Sequence, residues 1–312
     1  MRRGWRRTLL VALLAVSRAV AGAAAAPFTV EEVAPGIWVH RGAVADFAPD
    51  NRGDIANLAF VVGTRGVLVV DAGGSAAVGR DWVAAVRGVT DRPIRWLVLT
   101  HVHPDHVFGA GTVVAAGARV IVGHARLARA FAERGPVYAA SMERLLGPEV
   151  FAGSEVPAPT RTVAPGERLR LDLGDRTVEI RGWPVAHTDT DLTVLDQATG
   201  TLLAGDLVFL DRLPVVDGSL LGWLRVLDEL ARLPATRVVP GHGPAVAPWP
   251  AALAAERRYL RDLHDAVRGL VREGVSLAEA PARIPPPSGW RLVDPDHGRN
   301  VTAAYAELEW EE

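Results

Sequence analysis

The 312-residue chain contains no cysteine. That excludes a disulfide framework, a zinc knuckle and a thiol nucleophile, and it suits an oxidising compartment. There is no surplus of positive charge. Lys and Arg number 34 against 36 Asp and Glu, for a net charge of −2, whereas a dedicated nucleic-acid binder would be basic. Past the N-terminus there is no apolar run of the roughly 20 residues that a membrane span takes, so the mature chain is expected to lack a transmembrane segment. Compositional bias is missing too. With 49% hydrophobic and 22% charged residues, the balance is that of a globular domain.

What is present starts with "MRRGWRRTLLVALLAVSRAVAGAAAAP". Four arginines, an apolar run from Leu9 to Val16 and a small-residue tail make the pattern of an export signal over residues 1–26, cleaved between Ala23 and Ala26. Arg6 and Arg7 before "TLL" also resemble a twin-arginine signal. A periplasmic or secreted protein follows as the expectation, with residues 27–312 as one domain that carries a helical extension from about 249.

Within that domain, "NLAFVVG" and "GVLVVDAGG" read as neighbouring strands joined by a turn. "SAAVGRDWVAAVRGV" has helical periodicity behind a candidate Ser75 cap. "IRWLVLT" and "ARVIVG" are further buried strands, with a short helix over 105–117 between them. Residues 124–147 read as helical, and a Pro-rich stretch over 148–166 crosses the middle. "RLRLDLGDRTVEIRGW" reads as a hairpin, followed by strands in "DLTVLD", "TLLAGD" and "TRVVPG" and helices at 219–232, 249–273 and near 298–309. The alternation of strands and helices argues an α/β class, with two sheets face to face and helices outside.

The chemistry concentrates in "LVLTHVHPDHVFGAG". His101 and His103 alternate after a strand, so both imidazoles can face one metal. Pro104 holds His103 extended and permits a helix to start behind it. Asp105 and His106 then sit at the helix start, where the dipole favours an anionic carboxylate, and the bend swings them away from the first pair. Ligands this dense are more easily shared between two metals than wrapped around one. His187 in a turn, Asp206 at a strand end behind Gly205, and His242 between glycines are each weak alone, reading equally as caps or surface residues. Together with the dense motif they form a set of seven at strand ends, where sites on α/β scaffolds gather.

"HVHPDH", His187, Asp206 in "AGD" and His242 in "PGHG" resemble the metallo-β-lactamase superfamily, over about Ile37 to Pro244. The resemblance implies an αββα four-layer sandwich of two mixed sheets. It implies that His101, His103 and His187 hold a first zinc, that Asp105, His106 and His242 hold a second, and that Asp206 bridges them. Asp105 and Asp206 are thereby also the candidate catalytic carboxylates. Imidazole and carboxylate ligands suit two Zn2+, and also iron or manganese. Asp71 would support the ligands from behind. Two divalent cations, two carboxylates and a hydroxide sum to about +1, which favours a small, anionic substrate, and a metal-bridging hydroxide would be the nucleophile.

Asp at position 206 is similar to the thioesterase, lactonase and phosphodiesterase branches; β-lactamases usually place Cys or Ser there. The flavin-linked diiron branch has Glu where His103 stands, and the basic residues with which glyoxalase-type thioesterases hold glutathione are not found after 250. "DNRGDIANLAFVVG", "VAHTDTDLTVLD" and "HGRNVTAAYAELEWE" resemble the exported quinoprotein relay system metallohydrolases. The expected function is therefore an exported dinuclear zinc hydrolase of an ester, thioester, lactone or amide. The competing expectation is a mononuclear iron persulfide dioxygenase using His101, His187 and Asp206. Loops 43–57 and 133–165, with Phe47, Tyr138 and Met142, are expected to line the pocket. Asp54, Asn57, His124, Asp189 and Asp191 are read as loop, cap or supporting residues rather than ligands, and His40, His264 and His297 as surface. "NVT" at 300–302 is formally a glycosylation acceptor.

Overall fold

The computed structural model describes residues 28–311; the export signal expected over residues 1–26 lies outside them. Seven strands run in sequence order across the first sheet: β1 (Glu31–Ala34), β2 (Ile37–His40), β3 (Leu58–Gly63), β4 (Gly66–Val70), β5 (Ile94–Val98), β6 (Val120–His124) and β7 (Arg161–Val163). β1 to β4 are antiparallel, and β4 to β7 are parallel. The second sheet has the order β13-β12-β11-β10-β9-β8, built from β8 (Arg168–Asp172), β9 (Thr177–Gly182), β10 (Leu192–Asp196), β11 (Thr201–Leu203), β12 (Arg237–Val239) and β13 (Ala247–Pro248). Its one parallel pair is β11 with β12. Both sheets are mixed, as expected from the sequence.

Three apolar layers hold this arrangement. Between the sheets, Ile37, Val61, Leu68 and Val98 meet Ile180, Val194, Leu203 and Val239. Outside the first sheet lies α1 (Ala76–Val89), whose Val78, Trp82 and Val86 recur at helical spacing and pack on Phe60 and Leu97. Ser75 caps this helix, its hydroxyl accepting from Val78 N at 3.2 Å. Outside the second sheet, α6 (Leu220–Leu230), α7 (Leu253–Arg272) and α9 (Asp296–Leu308) bury Trp223, Leu227, Leu260, Leu263 and Leu308. Each such side chain contributes about 1.5–3 kcal/mol. The layers are helix, sheet, sheet, helix.

Three details depart from the sequence reading. The helix expected over 105–117 is two pieces, α2 (Pro104–Val107) and α3 (Ala110–Ala115). Gly109 breaks it because it packs against the Ala72 carbonyl so closely that a Cβ there would lie 2.0 Å from that oxygen. β1, β2, β7 and β13 are too short to carry a periodic signal and escape the sequence reading. The helical stretch at 124–147 is α4 (Leu127–Leu146), and two four-residue helices add to the expected set: α5 (Pro148–Phe151) opens the Pro-rich stretch, and α8 (Ala280–Arg283) falls between α7 and α9. Among the described residues no helix is long and apolar enough to cross a membrane.

Candidate metal centre

The seven residues singled out in the sequence converge at one edge of the sandwich. The chain leaves β5 and bends at His101 and Val102 rather than continuing extended. Val102 is buried in the outer core, and the histidines on either side turn to the edge. Pro104 opens α2 behind an extended His103, as the sequence implies, which places Asp105 in the first turn. His187 comes from the loop between β9 and β10. Asp206 sits in a 3-10 turn, Gly205–Leu207, after β11, and His242 follows β12.

Their ligand atoms form two groups, each within 4.8 Å: His101, His103, His187 and Asp206 in one, Asp105, His106 and His242 in the other. Asp206 reaches both. Its Oδ2 lies 3.7 Å from His101 Nε2, 3.5 Å from His187 Nε2 and 3.3 Å from His242 Nε2, and its Oδ1 lies 3.2 Å from His106 Nε2. Two glycines make room for it. Gly205 has φ +53, and a Cβ on Gly241 would stand 1.8 Å from Asp206 Oδ1.

The outer nitrogen of each imidazole fixes which atom faces inward. His106 Nδ1 donates to Asp71 at 2.8 Å, His187 Nδ1 to the Val215 carbonyl at 2.7 Å, and His242 Nδ1 to the Ile55 carbonyl at 2.9 Å. The Thr100 hydroxyl donates to Asp71 at 2.7 Å, so it can only accept from His101 Nδ1, 3.1 Å away. His103 is reversed: its Nε2 donates to Asp217 at 3.1 Å and its Nδ1 turns inward. With the imidazoles neutral, five bare nitrogens and two carboxylates therefore face one another with no proton to share. His187 Nε2 and His103 Nδ1 then stand 3.0 Å apart as two lone pairs, and the buried His101 Nε2, His106 Nε2 and Asp206 Oδ1 have no hydrogen-bond partner. A closed set of acceptors is a site for cations, and the two groups fit a dinuclear metal centre.

Electrostatics agree. Burial works against the charge on Asp206, but His242, His106 and His101 outweigh it and hold the carboxyl well below its usual range. Asp105 is lowered against burial by His106 and His242. Burial, then His103, pushes His187 down to about 3, which keeps it an unprotonated donor of electrons.

The supporting residues are largely those the sequence nominated. Asp71 adopts φ +60 and accepts from Thr100 N, Thr100 Oγ1 and His106. Asp191 is not a ligand; it accepts from Thr188 N and Oγ1 and so shapes the His187 loop, and burial pushes its carboxyl up to about 8. Asp189 pairs with Arg134. Asn57 ties Gly42 N to the Pro240 and Pro244 carbonyls. His124 ends β6, its Nδ1 accepting from Arg126 N.

Two readings need correction. His40 and His297 are buried, not on the surface: His40 bridges the Thr29 carbonyl and Asp54 across β2, and His297 meets the Tyr259 hydroxyl at 3.2 Å. Half-buried His264 pairs with Asp265. Asn300 of the "NVT" triplet is fully buried and hydrogen-bonded, which leaves it no access as a glycosylation acceptor in the folded chain.

A cavity of about 380 Å3 opens on the candidate ligands. Phe47, Tyr138 and Met142 line it, as the sequence suggested. Asp217, Arg212, Asp296 and Arg299 line it as well, and the sequence offered no local signal for them. Tyr138 is kept protonated by burial, which raises its hydroxyl to about 12.

The family model of the metallo-beta-lactamase superfamily matches residues 51–242. A linear primary-alkylsulfatase from Pseudomonas sp. (strain ATCC 19151) is 33% identical over 125 residues, which is 39% of this chain and 21% of that protein. Among solved structures, a stereoselective inverting sec-alkylsulfatase from Pseudomonas sp. superposes with a TM-score of 0.68 at 16% identity, over 90% of this chain and 50% of its own. A metallo-beta-lactamase family protein from Thermus thermophilus gives 0.62 at 21% identity, over 89% and 94%. The chain thus spans only half of the alkylsulfatase structure, and these structural likenesses show the fold.

Proposed function

The chain belongs to the metallo-beta-lactamase superfamily, and from that premise we propose that it is an exported, dinuclear zinc-dependent hydrolase of a small substrate carrying an ester, thioester, lactone or amide. The observation that carries the reading is the cage of five inward imidazole nitrogens and two ionised carboxylates opening on a cavity. Two zinc ions, when bound, supply Lewis acidity and lower the pKa of water.

The protein's own groups do the rest. Asp206 spans the two ligand groups and sets their separation. Asp105, ionised and facing the cavity, is placed to accept a hydrogen bond from the attacking water and orient it. The Tyr138 hydroxyl is a neutral donor on the cavity wall. The Phe47–Met142 side excludes water from the reacting bond. A single iron needs only His101, His187 and Asp206; that His103, Asp105, His106 and His242 face inward in the same state favours two metals. Export and the quinoprotein relay subtype form part of the same proposal, supported by the N-terminal pattern and the three quoted stretches.

Metal analysis of the chain purified without added metal, followed by a panel of thioesters, lactones, amides and β-lactams, tests it. The alkylsulfatase relatives add an alkyl sulfate to that panel. Two zincs per chain, and hydrolysis abolished by His106→Ala, support the reading. One iron per chain with oxygen consumed on a persulfide would sink it.

A further inference from the structure

The cavity wall facing the candidate metal ligands carries a guanidinium pair, Arg212 and Arg299, that shares a single carboxylate, Asp296. Arg212 is largely buried there, with 13% of its side chain exposed. Its Nε is buried and has no hydrogen-bond partner. The nearest carboxylate, Asp296 Oδ2, is 3.7 Å from its Nη2, beyond hydrogen-bond reach. Asp296 is also the partner of Arg299, whose Nη1 lies 3.3 Å from Oδ1. One carboxylate thus serves two guanidinium groups, and one positive charge is left over on this wall. Asp217, the other acid on the wall, is already engaged by His103 and Arg134.

A buried, unsatisfied Arg is costly unless something completes it, and the structure holds Arg212 in place rather than letting it turn to solvent. Asp211 before it adopts φ +64. The Asp211 carbonyl accepts from Arg291 N at 2.7 Å, and Leu213 N donates to the Arg291 carbonyl at 3.0 Å. Asn300, one turn beyond Asp296 in α9, accepts from Val216 N at 2.8 Å and donates to the Pro214 carbonyl at 2.7 Å. Asp296, Arg299 and Asn300 all lie beyond the residues that match the family model, 51–242. The C-terminal extension therefore builds one wall of the cavity. Phe47, Met142 and Phe209 line it as apolar surface.

We propose that Arg212, with Arg299, forms an oxyanion subsite, and that the C-terminal extension thereby selects substrates carrying a carboxylate or sulfo group on an apolar body. A guanidinium fork takes either group through paired hydrogen bonds, while the apolar remainder packs on Phe47 and Met142. Calling the occupant a substrate rests on the hydrolase reading; the anion site itself does not.

The test is calorimetric titration of benzoate, benzenesulfonate and the neutral benzamide onto the full, zinc-loaded chain. At least one anion is expected to bind about tenfold or more tightly than benzamide. Which one wins tells the planar group from the tetrahedral one. Arg212→Ala should abolish the preference, and Arg212→Lys should keep part of it. Equal binding of all three by the wild type, or undiminished anion binding by a folded Arg212→Ala chain, overturns the subsite and assigns the anions to the metals. If Arg212→Ala does not fold, Arg299→Glu, on a side chain 71% exposed, reverses the charge of the same wall. It must then weaken anion binding by about tenfold, and unchanged binding overturns the proposal. Turnover of 4-acetoxybenzoate, an ester that carries the carboxylate, by the wild type is read separately: its absence would count against the hydrolase and leave the anion subsite standing.

Discussion

The Asp71 carboxylate accepts the Nδ1 proton of His106 at 2.8 Å and, at the same time, the amide and hydroxyl protons of Thr100 at 2.8 and 2.7 Å. One side chain at the end of β4 therefore sets the tautomer of His106 directly and that of His101 through Thr100. It links both ligand groups without touching either metal position.

Asp71→Asn removes the charge and one of these acceptances. Loss of such a supporting carboxylate weakens metal affinity by about 10–100-fold. Competition with a chromophoric chelator measures it. An unchanged affinity at both sites would mean that the His106 and His101 orientations are set by something other than Asp71.

Gly241→Ala should displace Asp206, because the new Cβ would stand 1.8 Å from Oδ1 and 2.8 Å from the Gly205 carbonyl carbon. The expected result is fewer than two metals per chain by elemental analysis. Gly88→Ala, in α1 with no atom within 4 Å of its Cβ, is the control. It should keep both metals and gain up to about 1 kcal/mol of stability.

Protons and metal compete for the same nitrogens. In the metal-free chain, burial opposes charge on His106, but Asp206, Asp105 and Asp71 overcome it and hold its pKa well above the ordinary value. His242 is raised in the same way, against burial, by Asp206 and Asp105. These two protons contribute stability that is fully present below about pH 6.5 and is lost as pH rises through the raised folded values. The lowered carboxylates contribute in the opposite sense: their share is present above about pH 4 and lost as pH falls. Metal-free protein should therefore lose melting temperature from neutral to alkaline pH, while the increment from added zinc grows over the same range. Calorimetry in buffers of different ionisation enthalpy should report protons released as zinc binds at neutral pH. Zinc binding without proton release would contradict the assignment.

Glu256, fully buried in α7, accepts from Phe209 N at 3.0 Å through Oε1, and its Oε2 has no partner. Phe209 stacks on His242 at 5.1 Å, so this carboxyl anchors the wall of the metal centre. Burial raises its pKa well above the ordinary value. The folded chain holds it neutral while the unfolded chain ionises it, so stability falls as pH climbs from about 4.5. Glu256→Gln keeps the acceptor and loses the titration, so its melting temperature should exceed the wild type's at pH 8 and fall less steeply between pH 5 and 8. Glu256→Ala leaves Phe209 N unpaired and should cost about 1–3 kcal/mol. Identical pH profiles for wild type and Glu256→Gln would mean that this buried acid does not titrate on unfolding.

The ligand motif was legible because its information is local. Alternating histidines, a proline that opens a helix and an acid in the first turn constrain one another within six residues. Gly205 was legible for a related reason, since a glycine beside a polar strand-end residue marks close backbone approach; the approach of Asp206 to Gly241 is set by the tertiary structure. Arg212 carried no such mark; an arginine in a loop reads as solvated until the segment that covers it is known.

By itself the sequence determined the α/β layering, the seven residues that converge at the sheet edge and the residues Phe47, Tyr138 and Met142 on the cavity wall. Hydrophobic periodicity and ligand spacing operate over a few residues, and that is the range of a sequence pattern. Only the tertiary structure decided which nitrogen each histidine turns inward and what stands behind it. His242 takes its tautomer from the Ile55 carbonyl, 187 positions away, and His103 from Asp217, 114 positions away. It also decided that α9, at the far end of the chain, completes the cavity. Such pairs are set by strand register and by helices packing on the second sheet, which bring together residues that no local pattern connects.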